Sequence, residues 1–325
     1  MPPVPLARVI RSGLEESIHT GDIAVVEADG SVVAFAGDPN RQMFARSSMK
    51  PLQATVSLSH APFDFTDREI AVMCASHNAE PVHIEAVRSL LARAGVEEEA
   101  LLCPSVRPWD DESLAADPER RRINSDCSGK HAGMLAACLA NGWPLPSYRD
   151  PDHPLQQEIR KAVLLASGEE RVPIGVDGCG VPVHGMPLRA MATIYARLAR
   201  PESLVDLEKA AGKAVAAMRT EPYMVAGRNR PDTAVMQQTA QVIAKGGAEG
   251  LMCAADLDRG WGVAVKMRDG ASRATGPVLI HALRSLGLLE DRSLADLEAF
   301  ARPPVLGGGE PVGEIVAAFD LSSPA

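Results

Sequence analysis

The sequence is organised around a short polar stretch, Arg46-Ser47-Ser48-Met49-Lys50-Pro51. It opens an apolar, helix-patterned run that continues to Leu58. Positions i and i+3 are neighbours on a helix, so Ser47 and Lys50 are predicted to touch. A lysine can take the proton of a serine only where burial or nearby positive charge lowers its pKa. The stretch therefore predicts a lysine-activated serine nucleophile, against the plainer alternative of a helix-capping serine beside a solvated lysine.

Alternating apolar and polar residues on both sides of this stretch predict strands. An Asp29-Gly30 turn between two early apolar runs is typical of a hairpin. The predicted strands cover residues 7–12, 23–27, 32–36, 251–255 and 261–267. Lys245-Gly246-Gly247-Ala248-Glu249-Gly250 is expected to precede the fourth of them. The fold class is thus α/β in the loose sense (α+β), with a mostly antiparallel sheet covered by helices from the middle of the chain.

Helical periodicity and start signals account for most of the remaining chain. The predicted helices cover residues 51–58, 67–75, 81–94, 155–167, 188–218, 232–243 and 277–289, with another beginning after Asn124. Residues 104–122 and 221–230 are predicted loops, and the tail from Pro303 to Ala325 is expected to pack peripherally. No repeat or linker divides the chain, so residues 1–325 are expected to form a single catalytic domain.

Composition narrows the class of function. The chain has 325 residues and a net charge of −9, which argues against a general binder of nucleic acid or acidic membranes. No window approaches the roughly 20 apolar residues of a spanning helix. The start, Met1 to Pro5, lacks the charged-then-apolar order of a signal peptide. We therefore expect a cytoplasmic protein.

Six cysteines occur without any Cys-x-x-Cys pair. In the cytoplasm they are expected to be thiols, metal ligands or core residues rather than disulfides. Two of them stand in polar, glycine-rich settings, Asn124-Ser125-Asp126-Cys127-Ser128-Gly129-Lys130-His131 and Asp177-Gly178-Cys179-Gly180. Cys127 and Cys179 are thus candidate metal ligands, if folding brings them together.

Three short motifs stand in a familiar order: Ser47-x-x-Lys50, then Ser125-Asp126-Cys127, then Lys245-Gly246-Gly247. This order is similar to that of the serine β-lactamases and penicillin-binding proteins. The sequence departs from their pattern where Cys127 replaces an asparagine and Gly246 replaces a threonine. These departures, together with Cys74-Ala75-Ser76-His77 and the two cysteine motifs, resemble a narrower group, the rhizobial-type L-asparaginases, over most of the chain.

The resemblance implies a β-lactamase-like fold, usually as a homodimer, that hydrolyses L-asparagine to L-aspartate and ammonia. It also implies two Ser-Lys tandems, Ser47 with Lys50 and Ser76 with Lys245. A zinc site near the catalytic centre would have Cys127, Lys130 and Cys179 as ligands. We assign substrate binding to a further set of residues: Arg46, His131, Asp177 and Gly246.

The third zinc ligand stays open when only residue types are considered. His131 or Asp177 would be preferred to a lysine, because an amine with a reference pKa of about 10.4 must lose its proton to bind. The resemblance favours Lys130, and a divalent cation beside a buried amine can deprotonate it. Two thiolates and one further ligand would leave a coordination position open. The plainer alternative is a pair of structural buried cysteines.

These observations lead to one main hypothesis and two alternatives. In the main hypothesis Ser47 attacks the asparagine amide, Lys50 takes its proton, Ser76 and Lys245 relay protons, and zinc holds the α-amino and α-carboxylate end of the substrate. A second keeps the fold but makes the protein a glutaminase or a β-lactam- or peptide-acting serine hydrolase. A third is a non-catalytic, zinc-dependent amino-acid-binding protein in which the serines are helix caps.

Overall fold

A computed structural model describes residues 3–324, so Met1, Pro2 and Ala325, parts of the predicted start and tail, lie outside the described residues. The strands are β1 (Val4–Arg11), β2 (Leu14–Val26), β3 (Val32–Ala36), β4 (Gln42–Phe44), β5 (Ile174–Val176), β6 (Pro182–Pro187), β7 (Val242–Gly247), β8 (Leu251–Asp256), β9 (Trp261–Met267), β10 (Pro304–Gly307) and β11 (Glu310–Ala317).

The helices occupy mainly the middle of the chain. They are α1 (Lys50–His60), α2 (Asp67–Met73), α3 (Pro81–Ala94), α4 (Asp111–Ala116), α5 (Ser128–Ala140), α6 (Pro154–Ser167), α7 (Leu188–Ala199), α8 (Glu208–Thr220), α9 (Pro222–Ala226), α10 (Pro231–Gln238), α11 (Thr275–Ser285) and α12 (Asp291–Ala301). The expected mixture of an antiparallel sheet with flanking helices is confirmed. None of the helices in residues 3–324 has the length and apolar character needed to cross a membrane.

The chain forms two compact units, each assembled from segments that are distant in sequence. Residues 1–48, 186–199 and 234–325 make up the first, here called the sheet unit. Residues 49–185 and 200–233 make up the second, the helical unit. The boundary after Ser48 divides the sequence stretch quoted first. The single catalytic domain over residues 1–325 stays a prediction.

The sheet unit contains an eight-stranded sheet in the order β10-β11-β1-β2-β9-β8-β7, with β3 paired to β2. Its neighbouring strands are antiparallel, and the predicted Asp29-Gly30 hairpin joins β2 to β3. β8 is buried along its whole length. α7 packs on β2, β8 and β9, and α11 packs on β8, β9 and β11. The helices of this sheet therefore come partly from the last third of the chain, not only from the middle.

The helical unit is built around α5, where every residue from Ser128 to Cys138 is buried. α1, α2 and α3 pack against α5, and α8 packs against α1 and α2. α2 begins at a capping box made by Thr66 and Glu69. Such a cap satisfies backbone N–H groups that a helix leaves unpaired. These helices bring the loop after α2, the first residue of α1 and the residues just before α5 into one small region.

Four expectations about local structure were wrong. The helix predicted over residues 232–243 ends at Gln238, and Val242 and Ile243 belong to β7. A short apolar run satisfies either period, and pairing with β8 decided this one. The predicted helix over 188–218 is broken after Ala199, because Pro201 disfavours a helical residue before it. The two predicted loops contain α4 and α9.

The tail was also misplaced, whereas the glycine-rich stretch precedes a strand as expected. Residues 304–317 join the sheet through β10 and β11, and Ala7 pairs with Ala317, so the tail is not peripheral packing. β8 begins at Leu251, directly after this stretch, and Lys245 to Gly247 are themselves the end of β7. The turn to β8 then uses Glu249 and Gly250, both at positive φ.

Candidate active site

The two neighbouring serines of the sheet unit have different surroundings. A 3-10 turn, Arg46–Met49, carries both and leads directly into α1. Ser48 is buried and donates its hydroxyl proton to the Lys245 carbonyl at 3.1 Å, while Tyr195 donates to the Ser48 carbonyl at 2.8 Å. Ser47 is half-buried. Ser48 thus holds the turn in place, and Ser47 is the more accessible serine of the pair.

The Lys-Gly-Gly motif lies next to this turn. Lys245 is fully buried, and its amine donates to the Gly246 carbonyl at 2.6 Å. A Cβ atom on Gly247 would meet the Ser48 hydroxyl at 2.8 Å, so the glycine makes room for the serine turn. Arg46 has φ +43 and reaches the Glu249 carboxylate at 3.9 Å. The predicted residues Arg46, Lys245 and Gly246 are therefore close to the Ser47 turn.

In the helical unit, Lys50 is buried completely and its amine is surrounded by oxygen atoms. It donates to the Ser76 hydroxyl at 2.8 Å and to the Ala75 carbonyl at 2.7 Å. It also reaches the carbonyl of Asp126 at 3.1 Å and the carboxylate of Asp126 at 3.4 Å. Burial lowers the pKa of Lys50, but the negative charges of Asp126, Cys127 and Cys179 together outweigh burial, and the net direction is upward.

The lysine that contacts Ser76 in the structure is not the one that the predicted Ser-Lys tandems assign to it. The resemblance pairs Ser76 with Lys245 and Ser47 with Lys50, whereas the amine of Lys50 here binds Ser76. Ser76 lies in the polar break after α2, as its sequence setting predicted, and it is buried. The predicted contact between Ser47 and Lys50, and the pairing of Ser76 with Lys245, stay predictions.

His77 and Ser128 have the appearance of a Ser-His pair, because Nε2 and Oγ are 2.9 Å apart. The backbone N–H of Ala79, however, donates to His77 Nδ1 at 3.1 Å. Nδ1 therefore carries the lone pair, and the proton of the neutral ring is on Nε2, which donates to Ser128. Burial lowers the pKa of His77 well below its usual value. His77 holds Ser128 and cannot act as its base in this tautomer.

The two cysteines singled out in the sequence come together in the helical unit. Cys127 directly precedes α5, and Cys179 lies in the turn between β5 and β6. The Cys127 thiol donates to Cys179, which lowers the pKa of Cys179 and raises the pKa of Cys127. The Lys130 amine donates to Cys179 Sγ at 3.0 Å. The predicted ligand set Cys127, Lys130 and Cys179 is thus a single buried cluster.

His131 is adjacent to the cluster, but its hydrogen bonds argue against it as a ligand. Tyr148 accepts from the Leu102 N–H at 2.9 Å, so its own proton goes to His131 Nδ1, 2.5 Å away. The imidazole proton is then on Nε2, which is buried close to Cys179 without a hydrogen bond of good geometry among the described residues. Burial lowers the pKa of His131 to about 4. Nε2 offers a proton towards Cys179 instead of a lone pair.

Asp177 is half-buried, at the start of the turn that carries Cys179. Its carboxylate accepts from the Gly178 N–H at 2.9 Å. Two backbone bonds close the turn: the Asp177 N–H donates to the Val181 carbonyl, and the Asp177 carbonyl accepts from the Gly180 N–H. Within residues 3–324, no group of three or more His, Cys, Asp and Glu side chains could hold a metal ion. The predicted ligand set of Cys127, Lys130 and Cys179 differs from such groups, because its third donor is the amine of a lysine.

Sequence reasoning missed Asp126, the counter-charge of Lys50. It was part of the quoted motif Ser125-Asp126-Cys127, yet nothing in the local pattern indicated a partner 76 positions earlier. Sequence reasoning also missed Glu80, a buried carboxylate that accepts hydrogen bonds from the Tyr223 hydroxyl and the Arg228 N–H. Only a polar break followed by a proline-initiated helix marked its position, and such breaks are often simple capped turns.

Comparison with known families gives one match across nearly the whole chain. A family model described as L-asparaginase II matches residues 7–317. No curated protein sequence matches the chain.

Several solved structures are similar to the chain at low sequence identity. A β-lactamase from Mycobacterium bovis is 15% identical, with 81% of this chain and 94% of that one covered at a TM-score of 0.43. A structure described as Mglu is 13% identical, with 83% and 67% covered at a TM-score of 0.46. A probable glutaminase from Bacillus subtilis, complexed with 6-diazo-5-oxo-L-norleucine, is 15% identical, with 83% and 84% covered at a TM-score of 0.36.

Proposed function

Because the chain belongs to the L-asparaginase II family, a family of amidohydrolases, we propose that it hydrolyses the side-chain amide of L-asparagine. The products are L-aspartate and ammonia. The observation that carries the proposal is the family match over residues 7–317. The buried hydrogen bond from Lys50 to the Ser76 hydroxyl supports a path for proton transfer between a lysine and a serine. The homodimer and the cytoplasmic location stay predictions.

In this mechanism the Ser47 hydroxyl attacks the amide carbon and its proton passes to Lys50. The C–N bond breaks, and the leaving nitrogen takes the proton held by Lys50 and departs as ammonia. Water then hydrolyses the acyl-enzyme ester, which restores the Ser47 hydroxyl and releases L-aspartate. Lys50 is an ammonium in the resting protein, because Asp126, Cys127 and Cys179 together raise its pKa. It becomes a base only after its own proton passes to the Asp126 carboxylate, 3.4 Å away. Ser76 accepts a hydrogen bond from that ammonium, so we assign it, with Lys245, to proton transfer.

The cluster of Cys127, Lys130 and Cys179 has donors that suit zinc. Two thiols in contact and an amine 3.0 Å from one sulfur form a compact donor set, and zinc prefers sulfur and nitrogen ligands. His131 Nε2, as an N–H group, would act on Cys179 rather than on the metal. When bound, zinc supplies an open coordination position for the α-amino and α-carboxylate end of the substrate. Lys130 must release its proton for this to happen.

Ammonia release from L-asparagine and L-glutamine by the purified protein tests the proposal. We expect faster turnover of L-asparagine than of L-glutamine. Ser47→Ala should abolish this turnover, whereas Ser48→Ala should lower it only as far as it lowers the fraction of folded protein. Faster turnover of L-glutamine would make the protein a glutaminase. Turnover that survives Ser47→Ala unchanged would remove Ser47 as the nucleophile. Binding of L-asparagine without any turnover would support the non-catalytic alternative.

A further inference from the structure

The loop that carries Ser76 is held from outside by a segment that has no role in the mechanism above. The Ser76 N–H donates to the Val225 carbonyl at 2.9 Å, and the Asn78 N–H donates to the Ala226 carbonyl at 3.0 Å. Val225 and Ala226 are the last two residues of α9, so these bonds use carbonyls that the end of a helix leaves unpaired. We call residues 76–80 the serine loop and residues 221–230 the clamp segment. Both belong to the helical unit.

The serine loop needs such a restraint because its backbone is strained. Ala79 has φ +62, a conformation that is costly for a residue with a Cβ atom. Strained residues persist only where the surrounding structure determines them strongly. The two bonds to the clamp segment come from the N–H groups of Ser76 and Asn78, so they fix the backbone on both sides of His77. The backbone position of Ser76 determines where its hydroxyl points.

A buried carboxylate, Glu80, joins the two segments. Glu80 is only 3% exposed. It accepts from the Tyr223 hydroxyl at 2.5 Å and from the Arg228 backbone N–H at 2.9 Å. Asn78 reaches both sides, through its amide to the Arg228 carbonyl at 2.9 Å and to Glu80 at 3.4 Å. Burying a carboxylate is costly unless it accepts several hydrogen bonds, and here all of its donors come from these two segments.

The clamp segment fits against Glu80 only because residue 227 has no side chain. Gly227 has φ +106, and a Cβ atom there would collide with the Glu80 carboxylate and lie 2.8 Å from His83. His83 in turn donates from Nε2 to the Tyr223 carbonyl at 3.2 Å. The absence of a side chain at this one position lets the backbone of the clamp segment approach the carboxylate closely.

We propose that Glu80 is a positioning residue: by binding Tyr223 and the backbone of Arg228, it fixes the serine loop so that the Ser76 hydroxyl stays within reach of Lys50. The inference rests on the proposed function for its kinetic consequence, because Ser76 is assigned there to proton transfer. Glu80 itself touches neither substrate nor the reacting atoms in that mechanism. It acts through the backbone of residues 76–80.

The test compares Glu80→Ala, Glu80→Gln and a matched control, Glu69→Gln. Glu69 is a buried carboxylate of the same unit that binds Thr66, Ser89 and Arg93 and makes no hydrogen bond to the serine loop. A misplacement of about 1 Å at a reacting group costs about 10²-fold in rate, so we expect Glu80→Ala to lower kcat about 10–100-fold with KM changed less than threefold. Glu80→Gln retains an acceptor for the Arg228 N–H, so it recovers most of that loss.

Amide hydrogen exchange provides a readout that does not depend on turnover. In Glu80→Ala we expect faster exchange in peptides that cover residues 76–80 and 221–230, with the rest of the chain unchanged. In Glu69→Gln those two peptides keep the wild-type rate. A kcat loss in Glu80→Ala no larger than in Glu69→Gln would overturn the proposal, as would faster exchange spread over the whole helical unit.

The two proposals fail in different ways. If the wild-type protein releases no ammonia from either amide, the proposed function fails, and the exchange experiment alone decides whether Glu80 fixes the serine loop. If turnover is normal and Glu80→Ala leaves both kcat and local exchange unchanged, the proposed function stands and the positioning role fails.

Discussion

Lys50 and Lys130 are both buried lysines of the helical unit, but one is surrounded by oxygen and the other by sulfur. Lys50 donates to a hydroxyl, two carbonyls and a carboxylate. Lys130 donates to Cys179 Sγ, which lies in contact with a second thiol. Burial lowers the pKa of each lysine, but the net direction is upward, through Asp126, Cys127 and Cys179 for Lys50 and through Cys179, Cys127 and Asp177 for Lys130.

The difference indicates separate tasks for two chemically identical side chains. Oxygen partners keep Lys50 beside a serine hydroxyl, where a proton can move between them. Sulfur partners place Lys130 among soft donors that a metal such as zinc prefers. A Lys→Arg substitution keeps the charge at either position but removes the ability to become neutral. The same change at the two sites therefore separates the two tasks.

The largest effect is expected from Lys50→Arg. A guanidinium stays protonated in proteins, so it cannot accept the serine proton. We expect kcat for ammonia release to fall by about 10²–10⁴-fold, the usual contribution of a general base. The zinc content of the purified protein, measured by mass spectrometry of the metal, should equal that of wild type. An unchanged kcat would remove Lys50 from the reaction.

The next effect concerns Lys130→Arg and the zinc site. An arginine cannot lose its proton to become a ligand, so we expect zinc affinity to fall by about 10–100-fold or more, as when a supporting group of a metal site is lost. Competition with a chromogenic chelator measures the affinity. Lys161→Arg, an exposed lysine of the same unit, is the control. Equal affinities in both variants would contradict the assignment of Lys130 as a ligand.

A smaller effect is expected from Asp126→Asn, which removes the counter-charge of Lys50. The buried ammonium would lose its carboxylate partner, although the carbonyl and hydroxyl bonds would remain. We expect the free energy of unfolding to fall by about 1–3 kcal/mol, the cost of a poorly satisfied buried group. Urea denaturation measures it, with Asp111→Asn on the exposed start of α4 as the control. Equal unfolding midpoints for the two variants would show that Asp126 contributes no stability through Lys50.

The smallest effect is expected from Glu69→Gln. Glu69 is a buried carboxylate whose hydrogen-bond partners, Thr66, Ser89 and Arg93, belong to neither lysine site. Burial raises the pKa of Glu69, but hydrogen bonds from Ser89, Thr66 and Arg93 outweigh it, so the folded-state pKa lies below the usual value. Such a group stabilises the fold above its unfolded pKa, and this contribution is lost as the pH falls through the folded pKa.

We therefore expect Glu69→Gln to cost about 1 kcal/mol at pH 7. The difference from wild type should shrink as the pH is lowered below the usual value of 4.5 for glutamate. Thermal unfolding of both proteins across that pH range provides the measurement. A difference that stays constant at low pH would mean that the charge of Glu69 contributes nothing.

Much of the secondary structure was predictable because its signals are local. The Asp29-Gly30 hairpin and helices such as α3 and α6 have turn residues or prolines at positions that only certain structures accept. The fate of residues 239–243 was not predictable, because Val242 and Ile243 suit a helix or a strand until β8 lies beside them. Periodicity cannot separate these two cases over so few residues.

For the candidate site, the sequence by itself determined the residue types and motifs: two serine motifs, three lysines beside a glycine or a proline, and two cysteines in polar, glycine-rich settings. These are enough for the family. Only the tertiary structure decided the partners: Lys50 with Ser76 and Asp126, Lys130 with Cys179, and Glu80 with Tyr223. A local pattern fixes contacts within about one helical turn. Contacts across 26 to 143 positions depend on how the whole unit packs its core.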